Sequence, residues 1–408
     1  MHARQDEIDA RAAWLRLALS LVVGSIGSIG MWSFVVALPA VQSEFGVTRA
    51  EASLPYTLTM VGFAAGGVFM GRLADRFGIV PPIIVGAVCL CLGYVVSGLA
   101  PGLWWLAAGH LIIGIGTSAS FGPLLADISF WFARRRGIAI AICSSGNYIA
   151  GTIWPPIIQY FVSSAGWRPT HIGIGLFCIA TNLAFVWGLA RRAPAHGIDL
   201  AGAALPTSYG IPGLRPGTLQ GLLAVAALAC CVAMAMPQVH IVAYCSDLGY
   251  GVARGAEMLS LMLAFGIVSR IGSGYIADRI GGLPALLLGS VLQAVALMLY
   301  AMFDGLVSLY VISALFGLFQ GGIVPMYAVT VREYFAPREA ATRLGVILML
   351  SLAGMALGGW ISGVIFDLTG SYRTAFFNGM LWNLLNIAIV MWLLVRSGWW
   401  SRLGLARA

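Results

Sequence analysis

Gly71-Arg72-Leu73-Ala74-Asp75-Arg76-Phe77-Gly78 returns, at an offset of 203 residues (274 minus 71), as Gly274-Tyr275-Ile276-Ala277-Asp278-Arg279-Ile280-Gly281. Each octet is bounded by glycines, and its Asp-Arg pair interrupts long apolar sequence. The same offset lays Trp131-Phe132-Ala133 on Tyr334-Phe335-Ala336. With a slip of one or two residues, Gly166-Trp167-Arg168 falls on Gly370-Ser371-Tyr372-Arg373. Correspondences spread over most of each half mark an internal duplication.

Outward from the octets the chain is unusually apolar. Of its 408 residues 60% are hydrophobic and 9% charged, against about 25% charged in soluble domains. The apolar material comes in runs near positions 14–38, 52–73, 79–100, 103–132, 138–163, 170–190, 218–245, 255–277, 283–303, 306–334, 342–366 and 374–397. Most have the length of roughly 20 residues a helix needs to cross about 30 Å of hydrocarbon, and helices satisfy their own backbone groups there. The sequence predicts an all-α membrane protein of twelve spanning helices in two six-helix bundles. The bundles are residues 1–190 and 218–408; the Pro- and Gly-rich stretch 191–217 reads as a cytoplasmic linker.

Every basic side chain is arginine, since the chain has no lysine. Eighteen arginines fall on the terminus-bearing side of this helix count and four, Arg49, Arg168, Arg254 and Arg373, on the other. By the positive-inside rule both termini are cytoplasmic, in a multi-pass protein of the cell inner membrane. The first apolar run is too long for a signal peptide and has no small-residue cleavage site, so it reads as a retained helix. The net charge of +8 reports topology, and arginines spread over short loops give no nucleic-acid surface. The cysteines Cys89, Cys91, Cys143, Cys178, Cys230, Cys231 and Cys245 lack metal-ligand spacing and read as small buried hydrophobes. With no ATP-binding loop, metal motif or nucleophile-base pair, the sequence predicts neither a cofactor nor an enzyme.

The octet after the second run resembles the signature loop of the major facilitator superfamily, and its echo after the eighth makes the likeness specific. Within that superfamily the chain looks most like the monocarboxylate and oxalate/formate transporter group. That resemblance rests on Phe130-Trp131-Phe132-Ala133-Arg134-Arg135-Arg136-Gly137-Ile138-Ala139, on Gly146, Asn147 and Gly151, on Gly166-Trp167-Arg168, on Asp367-Leu368-Thr369-Gly370-Ser371-Tyr372, and on an arginine in the eighth run. It implies transport by two repeats that rock about a midplane site. In the loops, Gly71, Asp75, Arg76, Asp278 and Arg279 are gating candidates. Asp127, near the end of the fourth run, is read as a structural or gating acid and as the partner of Arg76.

Arg270 is the deepest arginine, eight residues before Asp278 and thus about 12 Å inside the boundary at 1.5 Å per residue. Its repeat-mate is Gly67. A charge at that depth is tolerable where it faces a wet cavity or an anion; the bland alternative is a buried ion pair. The resemblance points to the anion, because the family's substrate-carboxylate arginine matches Arg270. Asn147 and Tyr327 are candidate hydrogen-bonding partners of the substrate, with Ser118 and Tyr148 weaker, and Trp32 reads as packed core. His110, followed by Gly114 and Gly116, and His240, after Pro237, are candidate proton carriers because histidine titrates near neutrality. Gly266 stands where proton-coupled relatives of the group carry an aspartate, so their relay does not transfer to this chain.

The leading expectation is secondary transport of a small organic anion, a monocarboxylate by resemblance, with proton symport left open. The lipid bilayer and the anion are the expected partners, and a cavity between two halves needs only one chain. An exporter of drugs or lipophilic metabolites, and a membrane assembly or sensor protein that moves nothing, are the alternatives.

Overall fold

The computed structural model describes residues 9–132, 135–191 and 210–399. Twelve helical segments follow in chain order: α1 Arg11–Phe45, α2 Arg49–Phe77, α3 Val80–Gly98, α4 Leu103–Trp131, α5 from Arg136–Ser144 into Gly146–Ala165, α6 Trp167–Leu189, α7 Pro216–Asp247, α8 Val252–Ile280, α9 Gly282–Met302, α10 Leu306–Tyr334, α11 Pro337–Thr369 and α12 Tyr372–Arg396. Among the described residues eleven are long and apolar enough to cross a membrane. The twelfth is α5, whose helix is interrupted at Ser145.

Local sequence explains the ends. The first apolar run ends at Leu38, yet α1 continues through Pro39 to Phe45. It ends at Gly46, in the left-handed region at φ 61°, whose N–H donates to the Gln42 carbonyl as such caps do. Two residues later Thr48 and Glu51 form a reciprocal capping box that starts α2: Glu51 N donates to Thr48 Oγ1 at 3.2 Å and Thr48 N to Glu51 Oε2 at 2.9 Å. In the second half Gly370 closes α11 at φ 64° and Ser371 opens α12.

Mid-membrane breaks expose the duplication and its limits. α4 is interrupted between Ser118 and Gly122, and α10 between Gln320 and Ile323, close to the repeat offset. α1 is also broken at Ser28, whereas α7 runs unbroken over the equivalent positions. The first half is therefore the more segmented.

The described chain forms two compact units, one of 1–202 with 239–264 and one of 203–238 with 265–408. The predicted linker lies largely outside the described residues. In the first unit α4 is the hub, and its glycines let neighbours approach to backbone contact. A Cβ on Gly114 would strike the Thr59 carbonyl of α2 and come 2.8 Å from Phe63 N; one on Gly109 would come 2.8 Å from the Gly93 carbonyl of α3. Lipid gives no hydrophobic drive between helices, so such close packing holds them. At one end Trp131, Phe132, Leu17, Ile79, Ile83, Ile128 and Leu189 make a fully apolar cluster. In the second unit Gly354 and Gly358 of α11 lie on the backbone of Leu228 and Val232 in α7. Large apolar side chains such as Trp104, Trp105, Tyr160, Val307 and Leu381 are exposed, the surface lipid covers.

Candidate functional site

Arg270 sits on α8 beside a tight helix crossing. Gly266, Ser269 and Ser273, spaced by three and four residues, form one face of α8 against α10. A Cβ on Gly321 would lie 2.7 Å from Gly266 Cα, Ser269 Oγ accepts from Gly322 N at 2.9 Å, and Ser273 crowds Gly322. One residue on from Ser269, Arg270 is turned about 100° off this seam and is half-buried. The crossing also gives Gly266 a physical reason: backbone-to-backbone contact leaves no space for a side chain between the helices.

Asn147 begins the second segment of α5. Trp32 of α1, 2% exposed, donates its indole N–H to the Asn147 carbonyl at 3.1 Å and to Oδ1 at 3.0 Å. That fixes the amide orientation, with Oδ1 as acceptor and the side-chain NH2 as donor. Gly151, one turn on, is crowded by Trp32 and by Leu263, and Ser260 donates to the Thr152 carbonyl.

Tyr327 is fully buried in the second unit. Its hydroxyl donates to Asn386 Oδ1 at 3.0 Å, while Asn386 Nδ2 reaches Ser290 Oγ at 2.8 Å and Asn383 Nδ2 the Ser290 carbonyl at 2.7 Å. A polar seam thus ties α9, α10 and α12, and in this conformation the Tyr327 hydroxyl is committed to it. Neither Asn383 nor Asn386 is legible from the sequence, since a lone asparagine in an apolar run shows no partner.

His110 of α4 and His171 of α6 are both wholly buried, with ring centroids 5.7 Å apart. His110 Nδ1 is 3.1 Å from Thr59 Oγ1, and His171 Nδ1 is 2.9 Å from the Trp167 carbonyl. His171 is a residue the sequence reading passes over. Its signal was the i+4 spacing from Trp167, which puts it under the Gly166-Trp167-Arg168 motif. His240, also buried, lies in the 239–264 stretch of the first unit, apart in sequence from this pair.

The octets are helix ends rather than loops: Gly71–Phe77 completes α2 and Gly274–Ile280 completes α8, only Gly78 and Gly281 lying beyond the helices. Asp75, Arg76, Asp278 and Arg279 are exposed, and no Cβ contact would meet a side chain at Gly71. Arg76 lies over the Phe77 ring and Arg279 over Tyr275. Asp127 does not pair with Arg76 as expected. It accepts from Arg16 of α1 at 2.7 and 2.9 Å, and Arg16 also donates to the Leu189 carbonyl at 3.1 Å and stacks on Trp131. Arg16 is buried and pre-placed, whereas an exposed Arg76 would give up hydration to reach the same acid. In the second half Glu333 at the end of α10 takes the N–H of Gly282 on both carboxylate oxygens, at 2.9 and 3.0 Å, an anion at the α9 N-terminus.

At the far ends of these helices Glu44 binds Arg168 at 2.8 Å and the Trp167 indole. Its repeat-mate Asp247 instead receives Arg49 of α2 at 2.9 Å, although Arg373, the mate of Arg168, pairs with Asp304. All seven cysteines are free thiols, and among the described residues no cluster of His, Cys, Asp and Glu could hold a metal ion.

Comparison with known proteins agrees with this architecture. Over 95% of its length the chain superposes on a bacterial homolog to the human lysosomal transporter Spinster, in an inward-facing and occupied conformation, with a TM-score of 0.69, 16% identity and 96% of that chain covered. Monocarboxylate transporter 13 of Rattus norvegicus is 26% identical over 88% of this chain and 82% of its own length. Monocarboxylate transporter 11 of Mus musculus is 26% identical over 90% and 84%. Family and fold are those of transporters, in a multi-pass membrane protein. The Major Facilitator Superfamily profile matches residues 21–308 and 273–398, nearly the whole chain, and the protein belongs to that superfamily.

Proposed function

We propose that this protein is a secondary transporter of a small monocarboxylate, working by alternating access, with Arg270 as the group that receives the carboxylate. The carrying observation is a half-buried arginine in the middle of an apolar helix, set beside a serine-glycine seam that holds its backbone rigid. A guanidinium offers a planar fork of donors that matches two carboxylate oxygens. Relatives named as monocarboxylate transporters support the substrate class. Asn147, its amide fixed by Trp32, is the second group we assign to substrate, as a neutral donor. The exposed Asp75-Arg76 and Asp278-Arg279 pairs at the ends of α2 and α8 are assigned to gating. Energy comes from a solute gradient.

Reconstituted in liposomes, the protein is expected to move labelled pyruvate, lactate or a related carboxylate, and to be competed by other carboxylates but not by lipophilic cations. Transport of hydrophobic cations with no carboxylate flux would replace this reading with a lipophilic exporter. Absence of any flux would favour a membrane assembly role.

Orientation belongs to the same proposal. The arginine bias puts the Arg76 and Arg279 helix ends in the cytoplasm and the Arg168 and Arg373 helix ends outside, across a cell inner membrane. Single cysteines placed next to Arg76 and Arg168 in a cysteine-free background are expected to label from opposite sides in intact cells, the Arg168 site alone reacting with an impermeant reagent. Labelling of both from outside would overturn the topology.

A further inference from the structure

We infer that His110 and His171 together form an enclosed binding site for a single proton in the first bundle. Thr59 Oγ1 donates its one hydrogen to the Pro55 carbonyl at 2.9 Å, so toward His110 Nδ1 that oxygen can only accept. His110 therefore carries its hydrogen on Nδ1. The Trp167 carbonyl facing His171 Nδ1 is an acceptor too, and fixes the same tautomer there. In both rings Nε2 is left with a bare lone pair, and both Nε2 atoms are buried without a hydrogen-bond partner.

Buried polar atoms are normally satisfied, so two orphan acceptors on touching rings call for an explanation. If each histidine served only as a hydrogen-bond donor through Nδ1, its Nε2 would be a standing cost with no return. An added proton occupies one of these two lone pairs, and the ring it charges lies 5.7 Å, centroid to centroid, from its neighbour. No covalent bond to carbon changes; the proton comes from water and returns to it. A second proton would place two like charges in ring contact away from water, so the pair takes one.

The surroundings fit an occluded cation. Phe34 lies 4.8 Å from His110, and Tyr94 and Trp167 lie 5.6 and 5.5 Å from His171, all edge-on in arrangement. Such rings exclude water from the pair. The titratable and charged groups on the packed elements are few. α1 brings Glu44, bound to the Trp167 indole, with Arg168 of α6 neutralising it. α2 brings Tyr56, about one turn before Thr59. α3 brings Cys91 and Tyr94, the Tyr94 hydroxyl shared with Ser33 at 2.7 Å, and α6 brings Cys178, whose thiol faces the Ile26 carbonyl. None of these is a carboxylate in contact with either ring, so a proton taken by the pair stays on the imidazoles.

The decisive measurement is the nitrogen-15 spectrum of histidine-labelled protein in nanodiscs as a function of pH, which needs no substrate. The chain has five histidines, and His110→Asn and His171→Asn assign the two signals. Asparagine keeps an amide N–H donor near the Nδ1 position and removes the basic nitrogen. At alkaline pH both rings are expected as Nδ1–H tautomers, and on acidification one imidazolium should form per pair, with either substitution changing how the remaining ring titrates. Two rings that stay neutral while the protein remains folded, or that titrate independently with two protons, would overturn the proposal, and the wild-type spectrum decides even if a variant fails to fold.

A second readout rests on the transport reading. In liposomes, His171→Asn is expected to lose carboxylate accumulation driven by a pH gradient while keeping exchange at equal concentrations. Retained gradient-driven accumulation in both single variants would defeat the site. A wild type without carboxylate flux would instead defeat the transport reading and leave the spectrum to judge the proton site.

Discussion

Arg270→Ala is expected to abolish measurable carboxylate binding in a protein that still folds, and Arg270→Lys to weaken it. Each charge-assisted hydrogen bond to a carboxylate contributes about 1.5 to 3 kcal/mol, or roughly 10- to 150-fold in affinity. Alanine removes both arms of the fork, whereas lysine keeps a point charge with shorter reach and no planar geometry. Folding should survive because the α8–α10 crossing is made by Gly266, Ser269 and Ser273 with Gly321 and Gly322, a face that Arg270 does not share. Substrate-induced rise in thermal midpoint is the check. A ligand at 100 times its Kd stabilises by about 2.7 kcal/mol, so the wild type should shift, the lysine variant shift less and the alanine variant not at all. Normal carboxylate affinity in a well-folded alanine variant would remove Arg270 from the site and favour the lipophilic-exporter reading.

Much of this architecture is legible in the sequence because membranes make simple demands. Twelve apolar runs, a duplicated octet and a one-sided arginine distribution follow from the cost of exposing backbone and charge to hydrocarbon. Helix ends are less legible where they depend on a rule that lipid relaxes. A proline forecasts the end of a helix in water, yet α1 runs through Pro39 and stops only at the left-handed Gly46. Mid-helix breaks such as Ser28 and Ser145 carry no composition signal, since serine is at home inside a membrane helix as well.

Side-chain pairing is harder still, because it depends on which faces of distant helices meet. The sequence offers Arg76 to Asp127, 51 positions away, but the structure gives Asp127 to Arg16 at a separation of 111. Arg16 looks like one more arginine at the edge of the first run, counted with the loop charges. Only the packing of α1 beside α4 and α6 turns it inward. His171 shows the same limit: its spacing from Trp167 could be read, but its contact with His110 requires α4 and α6 both to pack on α3. Duplication also misleads where the copies have diverged. Glu44 and Asp247 are repeat-mates, yet one closes on the arginine of its own half and the other on Arg49 of α2.

The Arg16–Asp127 pair carries the second large effect. Arg16 is 4% exposed at its side chain and Asp127 13%, so removing either partner strands a charge in an apolar cluster of Trp131, Leu17, Ile128 and Leu189. Breaking a buried pair in this way costs about 3 to 5 kcal/mol, most of it the uncompensated charge rather than the lost bond. Asp127→Ala and Arg16→Met are therefore each expected to lower the thermal midpoint strongly in detergent, compared at one scan rate because membrane proteins unfold irreversibly. Asp127→Asn should be nearly as damaging, since it keeps an acceptor but not the charge. The double variant Arg16→Met with Asp127→Leu should recover much of the loss, as a neutral pair leaves nothing stranded. It should fall short of the wild type, because the bond to the Leu189 carbonyl and the stacking on Trp131 go with the guanidinium. Arg76→Ala, at an exposed position, should stay within about 0.5 kcal/mol of the wild type. If Arg76→Ala destabilises as much as Asp127→Ala, or if Asp127→Ala is neutral, the acid belongs to the end of α2 and not to α1. The pair clamps α1, α4 and the end of α6 at the edge where α3 begins, Ile79 and Ile83 sharing its apolar cluster. Its loss should then loosen that end of the first bundle, and transport should fall through stability before it falls through substrate affinity.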